Sequence, residues 1–155
     1  PYAAELHRLI HELSLTDRVV FFDATHERMA DYMNAVDVVV LPSVTTATFR
    51  EQYGRVVPEA MACGRLVVVS TCGSLLEVAG AAGIVVPEND DAALQHVLAG
   101  ILDSPEVTER AAPAAIEHAL ANHSLFVQCD RMQAVFEQWV SPRRHLILPA
   151  TDDRA

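Results

Sequence analysis

The sequence predicts an α/β domain, a doubly wound parallel sheet that runs out into helices, and three observations carry that reading. Short β-branched, apolar runs recur at residues 18–22, 37–41, 66–70 and 83–86, each of a length that suits a strand. Helical periodicity fills the stretches between them, which is the alternation a parallel sheet with crossover helices requires. After Asp90 the strands stop, and the rest of the chain reads as helix.

Leu6, Leu9, Ile10 and Leu13 recur at helical spacing, so a helix opens the chain. Arg18-Val19-Val20-Phe21-Phe22 predicts the first strand, and a second helix is expected from His26 to about Ala35. Asp37-Val38-Val39-Val40-Leu41 is almost continuously apolar, the pattern of a strand buried on both faces. Pro42 ends it, and residues 42–54 carry turn and hydroxyl residues without periodicity. Arg55 to Cys63 reads as a helix, because Pro58 is tolerated only in a first turn and so sets the start near Gly54. Gly64 takes the position just past its end. The next strand is Leu66 to Ser70, followed by a short helix at 74–79 and the small strand Gly83-Ile84-Val85-Val86 before Pro87. Helices are expected over Asp90–Leu102, Glu106–Leu120 and Ser124–Val140, with Ser124 as N-cap of the last. Residues 1–140 form one domain, and 141–155, with the basic-apolar segment Arg143-Arg144-His145-Leu146-Ile147-Leu148, form a tail.

A chain of 155 residues is one domain by length and buries roughly two-thirds of its unfolded surface without help from disulfides or metal. With 51% hydrophobic and 21% charged residues, it belongs with folded globular chains. The formal charge of −10 opposes binding to a phosphate backbone or an anionic lipid surface, so no nucleic acid partner is expected. Cys63, Cys72 and Cys129 are odd in number and lack C-x-x-C spacing, which reads as buried thiols in a reducing, cytoplasmic compartment. The start at Pro1 has neither a basic leader nor an apolar stretch, and no segment has the length of a membrane span. The expectation is a cytosolic domain cut from a longer chain.

In an open parallel sheet, ligands bind beyond the carboxyl ends of the strands. The segment after Leu41 stands out there, a loop feeding the helix that starts near Gly54. A helix amino terminus preceded by a glycine presents backbone donors and a partial positive charge, which suits a phosphate or diphosphate. Glu59 falls on an apolar flank of that helix, between Val56 and Cys63, and its side chain leans toward the same terminus. Two readings are open for it. Its acceptor oxygens match the two hydroxyls of a vicinal diol such as a ribose edge, or it is a first-turn acid that offsets the helix dipole. Glu51, taken alone, is an acidic loop residue. His7 and His11 sit four apart without a third ligand, which reads as a solvated helix face, so no metal is expected. The sequence contains no G-x-G-x-x-G, G-x-x-x-x-G-K-[ST] or G-x-S-x-G, against dinucleotide, P-loop and hydrolase sites. The row Phe126, Met132, Phe136, Trp139 reads as core packing.

Glu51-x7-Glu59 with Gly54 between, then Ala60-Met61-Ala62-Cys63-Gly64 and the strand Val67-Val68-Val69-Ser70, resembles the E-x7-E signature of the family 4 (group 1) glycosyltransferases. Asp17 to Phe22, Met29 to Asp37, Val40-Leu41-Pro42-Ser43, Glu77-Val78 and Gly83 to Asp90 follow in that family's order, so the likeness covers about residues 1–140. Residues 48–56, Thr-Phe-Arg-Glu-Gln-Tyr-Gly-Arg-Val, look like the bacterial subset that assembles exopolysaccharide and lipopolysaccharide. The resemblance implies the carboxyl-terminal, Rossmann-like half of a two-domain GT-B enzyme, retaining and independent of metal, with no resident cofactor. By that likeness Glu59 holds the ribose diol, Glu51, the catalytic candidate, touches hydroxyls of the donor sugar, and backbone amides near Tyr53, Gly54 and Arg55 cradle the diphosphate, with Gln52 in the same donor-binding stretch. Asp23 and Ala24 lie beside the nucleobase. The family usually has Gly where Asp23 or Ala24 stands and Pro where this chain has Leu66. Its basic pair and acceptor domain lie upstream of residue 1, and contact with the inner membrane belongs to that half. The final helix of the family packs back toward the amino-terminal domain, which would leave part of its apolar face exposed here.

Three functions are therefore weighed: a glycosyltransferase domain using a UDP- or GDP-sugar for a cell-surface polysaccharide or glycolipid, a nucleotide-sugar binding module that is silent without a separate acceptor domain, and a generic doubly wound binding domain. With the family's basic pair upstream of residue 1, only Arg50 and Arg55 are left as candidate cations for the leaving diphosphate, and exposed loop arginines are more often solvated, so this chain alone is expected to transfer little.

Overall fold

A computed structural model describes residues 2–140, and the tail at 141–155 lies outside the described residues. The chain runs α1 (Tyr2–Glu12), a 3-10 turn at His26–Arg28, α2 (Met29–Asn34), β1 (Val38–Leu41), α3 (Val56–Ala62), β2 (Leu66–Ser70), α4 (Leu75–Ala79), β3 (Ile84–Val86), α5 (Asp91–Asp103), α6 (Glu106–His123) and α7 (Leu125–Val140). The strands form a parallel sheet in the order β1-β2-β3. Val38 pairs with Leu66 and Leu41 with Val69, while Val68 pairs with Ile84 and Ser70 with Val86.

The sheet is covered on both faces, as the sequence predicts. Every residue of β2 is buried, and side chains alternate across a strand. Val67 and Val69 therefore join Met33, Val57, Met61, Leu75, Val78 and Ala115 on one face, under α2, α3, α4 and α6. Leu66 and Val68 join Val86 and Ile101 on the other, where α5 and the start of α6 close the layer. Burying the valine, leucine, isoleucine and methionine side chains among them stabilises the fold by about 1.5–3 kcal/mol each.

α3 ends as expected. The Gly64 amide donates to the Met61 carbonyl at 2.9 Å and the Arg65 amide to the Ala60 carbonyl at 3.0 Å, the paired bonds that a left-handed residue after a helix allows, and Gly64 has φ +72°. At the start of α5 the Asp90 carboxylate caps the Ala93 amide at 2.9 Å. The Ser124 hydroxyl reaches the Val127 amide at 3.4 Å, so the expected cap of α7 is present.

Four expectations need correction. Residues 18–22 form no strand, and Val20, Phe21 and Phe22 are 79%, 56% and 60% exposed. A strand exists only with a ladder partner, and no described residue pairs with this run; its apolar character instead serves small ring contacts, Phe21 with His7 and Phe22 with Tyr32, both at 4.9 Å between centroids. β1 is only half-buried, because among the described strands it pairs on one edge alone. The row Phe126, Met132, Phe136 and Trp139 is not core: α7 buries no residue among the described ones, and these four are 57–82% exposed. A partly exposed apolar face on this helix is what the family resemblance implies. Cys129 lies on the same helix and is exposed, whereas Cys72 is buried and Cys63 half-buried; all three are free thiols.

Candidate functional site

The loop from Pro42 to Arg55 leaves the carboxyl end of β1 and is fastened to the turn that follows β2. The Glu51 carbonyl accepts the Ser74 amide at 3.2 Å, the Ser74 hydroxyl donates to the Gln52 carbonyl, and the Glu51 amide points to the Cys72 sulfur at 3.5 Å. Gly73 permits this approach: its φ is +63°, and any Cβ there would overlap the Glu51 carbonyl oxygen. Gly54, with φ +68°, is confined less severely, by side chains alone, since a Cβ would lie 2.5 Å from Leu75 Cδ2 and 3.1 Å from Leu41 Cδ2. A second tie joins the first part of the loop to the turn after β3. The Glu88 carboxylate accepts the Thr45 amide at 2.6 Å and the Thr45 hydroxyl at 3.2 Å. Those bonds, the amide first, hold the Glu88 carboxyl below its ordinary range, with a smaller contribution from Arg50. Three strand ends thus deliver their loops to one place.

Glu51 turns back on its own loop. Its Oε1 accepts the Gln52 amide at 3.2 Å and the Gly54 amide at 3.1 Å, while Oε2 receives no described donor. The Gly54 amide, expected to face a ligand, is therefore engaged, and Gly54 contributes shape. The Val57 amide donates to the Gly54 carbonyl at 2.8 Å and the Glu59 amide to the Arg55 carbonyl at 3.3 Å. Pro58 has no amide proton. Among the described residues, the amides of Tyr53, Arg55 and Val56 are left without a protein acceptor at the positive end of α3.

Glu59 is half-buried in the first turn of α3, and no described residue donates to its carboxylate. It lines an open cleft of about 320 Å³ together with Tyr53, Arg55 and Pro58, closed on the far side by Ala119, Leu120, His123 and Ser124. Of the residues predicted for the site, Tyr53, Arg55 and Glu59 line this cleft, while Glu51, Gln52 and Gly54 are bonded to one another in the loop that leads into α3 and do not line it. Asp23 and Ala24, both exposed, do not line that cleft. The wall from the α6–α7 junction is absent from the sequence reading: His123 lies 70 residues from Tyr53, and no spacing rule links them. Among the described residues no three metal-ligating side chains gather, and no helix is long and apolar enough to cross a membrane.

His123 is the titrating group of this wall. Burial holds its imidazole below the ordinary value, against the opposing pull of the Val78 carbonyl and with smaller lowering contributions from the neighbouring His118 and Arg131. The folded state therefore favours the neutral ring, and the unfolded chain takes up the proton at higher pH. Stability is complete above the ordinary imidazole range and falls as the pH drops below it, until the folded ring also protonates. Melting temperature should decline from pH 7.5 to 5.5, and less steeply in His123→Asn; equal slopes would remove the assignment.

The family model described as "Glycosyl transferases group 1" matches residues 1–104. This chain belongs to that family. As a group 1 glycosyl transferase it is 35% identical over 117 residues to D-inositol 3-phosphate glycosyltransferase 2 of Catenulispora acidiphila, covering 74% of this chain and 26% of that protein. It is 34% identical over 122 residues to the D-inositol 3-phosphate glycosyltransferase of Mycolicibacterium smegmatis, covering 77% and 25%. The chain thus spans about a quarter of the length of these curated relatives. Among solved structures, sucrose-phosphate synthase from Thermosynechococcus elongatus superposes with a TM-score of 0.76 at 30% identity, over 90% of this chain and 34% of that one. Anabaena Alr3699/HepE in complex with UDP superposes at 0.75 with 25% identity, over 88% and 37%. The fold is accordingly an α/β fold with a parallel sheet that matches about a third of these glycosyltransferase structures, of the GT-B type that the sequence implies.

Proposed function

We propose that this group 1 glycosyl transferase chain binds the nucleoside diphosphate part of a sugar donor at the start of α3, as the donor half of a retaining transferase that needs no metal. The observation that carries the reading is the pairing of three unengaged amides, at Tyr53, Arg55 and Val56, with the unpartnered Glu59 carboxylate one turn further in. The amides and the helix dipole suit the diphosphate, and the carboxylate suits the two ribose hydroxyls. Glu51 keeps one oxygen for a hydroxyl of the sugar while the other holds the loop. Arg55, on the cleft wall, supplies positive charge near the leaving group. The Anabaena neighbour, whose structures hold UDP and UDP-glucose, makes a UDP-sugar the favoured donor class over a GDP-sugar. The acceptor, a polysaccharide or glycolipid of the cell surface, is assigned to parts of the relatives that this chain does not match. By itself the chain is proposed to bind donor and transfer little, in the cytoplasm, with no resident cofactor.

Calorimetric titration with UDP tests the reading. Glu59→Ala should weaken binding by about 1.5–3 kcal/mol, roughly 10- to 150-fold, the range for a charge-assisted pair of hydrogen bonds. An unchanged affinity would leave Glu59 as a helix-dipole acid only, and no binding of UDP or GDP by the folded chain would defeat the donor reading altogether.

A further inference from the structure

We infer that His123 is a positioning residue for the donor loop, acting through the hydroxyl of Tyr53 to hold residues 52–55 in the shape that receives a diphosphate. The inference rests on the donor-site reading above and deepens it. The Tyr53 hydroxyl lies 2.8 Å from His123 Nδ1, and the two rings meet edge to face with centroids 5.8 Å apart. On its other side His123 Nε2 is 3.1 Å from the Val78 carbonyl oxygen. A carbonyl only accepts, so Nε2 carries the proton, and in the neutral ring Nδ1 is then the acceptor for the Tyr53 hydroxyl.

The Val78 carbonyl lies in the last turn of α4, where a helix leaves its carbonyls without helical partners. It also receives His118 Nε2 at 3.0 Å, and Asn122 Nδ2 approaches His118 Nδ1 at 3.3 Å. Both imidazoles therefore share one tautomer and fill both lone pairs of one oxygen. Asn122 is tied in turn to α7, since Gln128 and Arg131 donate to its carbonyl at 2.7 and 3.1 Å. The far end of α6 is thus fixed to α4, and through Tyr53 to the loop.

The loop needs this anchor at one point. Gln52 is held by Ser74 and Gly54 by Glu51, but Tyr53 between them has a half-exposed ring whose one polar partner among the described residues is His123. Its amide is one of the three donors left for a ligand. Ring and amide share a Cα, so the bond to His123 limits the rotations that would turn the amide away.

The test compares UDP with uridine on the 155-residue chain. Tyr53→Phe and His123→Ala should each weaken UDP binding about tenfold, the scale of one hydrogen bond, and weaken uridine binding by clearly less, within about threefold, because uridine meets the cleft wall but only the diphosphate uses the amides. The double variant should be no worse than either single one, and His123→Asn, which keeps an acceptor at the Nδ1 position, should restore binding. Loss of uridine and UDP affinity in parallel, or no change for UDP, would overturn the inference. In the ligand-free chain, the hydrogen-bonded amides of Gln52, Gly54 and Val57 should exchange faster in His123→Ala. If the parent chain bound no UDP, the donor reading would fail, and the exchange rates would still decide whether His123 holds the loop: unchanged rates would overturn that as well.

Discussion

Gly73→Ala is expected to lower stability by about 4–7 kcal/mol and to weaken nucleotide binding severely at temperatures where the parent chain is folded. A left-handed backbone costs a non-glycine residue about 1–2 kcal/mol, and Gly73 has φ +63°. The larger part is steric. The new methyl would occupy the position of the Glu51 carbonyl oxygen, a backbone atom that moves only with its whole loop, and overpacking of this kind costs about 1–3 kcal/mol. Moving the loop also breaks the bond from the Ser74 amide to Glu51 and the one from the Ser74 hydroxyl to Gln52, at about 1 kcal/mol each. For a chain of this length, the melting temperature should fall by roughly 8–28 °C. A fall within 2 °C would mean that the two loops are not packed as described. Because the same loop carries Glu51 and Tyr53, UDP affinity should drop further than in Glu59→Ala.

Met61→Ala addresses the opposite side of the same helix. Met61 is fully buried in the cluster where α3 meets β2, α4 and α6, and truncating a core methionine costs about 2–5 kcal/mol, through lost transfer energy and the cavity left behind. Denaturant unfolding should show a lower midpoint with the slope retained. The variant also separates stability from function. Met61 takes no part in the cleft beside Glu59, so at a temperature where the variant is folded its UDP affinity should be within about threefold of the parent. A much larger loss would show that α3 shifts when its core side is emptied, and that the position of the helix end depends on packing beneath it.

Legibility of this protein differed from element to element, for physical reasons. β2 was plain because five consecutive apolar or small residues in a parallel sheet bury on both faces whatever surrounds them. α3 was plain because Pro58 and Gly64 act locally at its two ends. The run at 18–22 misled because β propensity measures fit to a sheet surface, and strand formation depends on a partner that the run itself does not contain. α7 misled in the same way: its apolar spacing describes a face, and a face becomes core only where something covers it. The nearness of Glu51 and Glu59 to one helix end was legible, yet the turning of Glu51 onto the Gln52 and Gly54 amides was not, since it depends on the loop being pressed against Gly73.

The sequence by itself determined the alternation of helix and strand, the two limits of α3, and the family with its pair of acids, because each is set by residues within a few positions of one another. Only the tertiary structure decided which strands find partners, which amides at the start of α3 remain unengaged, and that His123 at the end of α6 meets Tyr53. Those outcomes depend on contacts between segments up to 70 residues apart, where burial and close approach are settled by how the layers pack and not by any local preference of the chain.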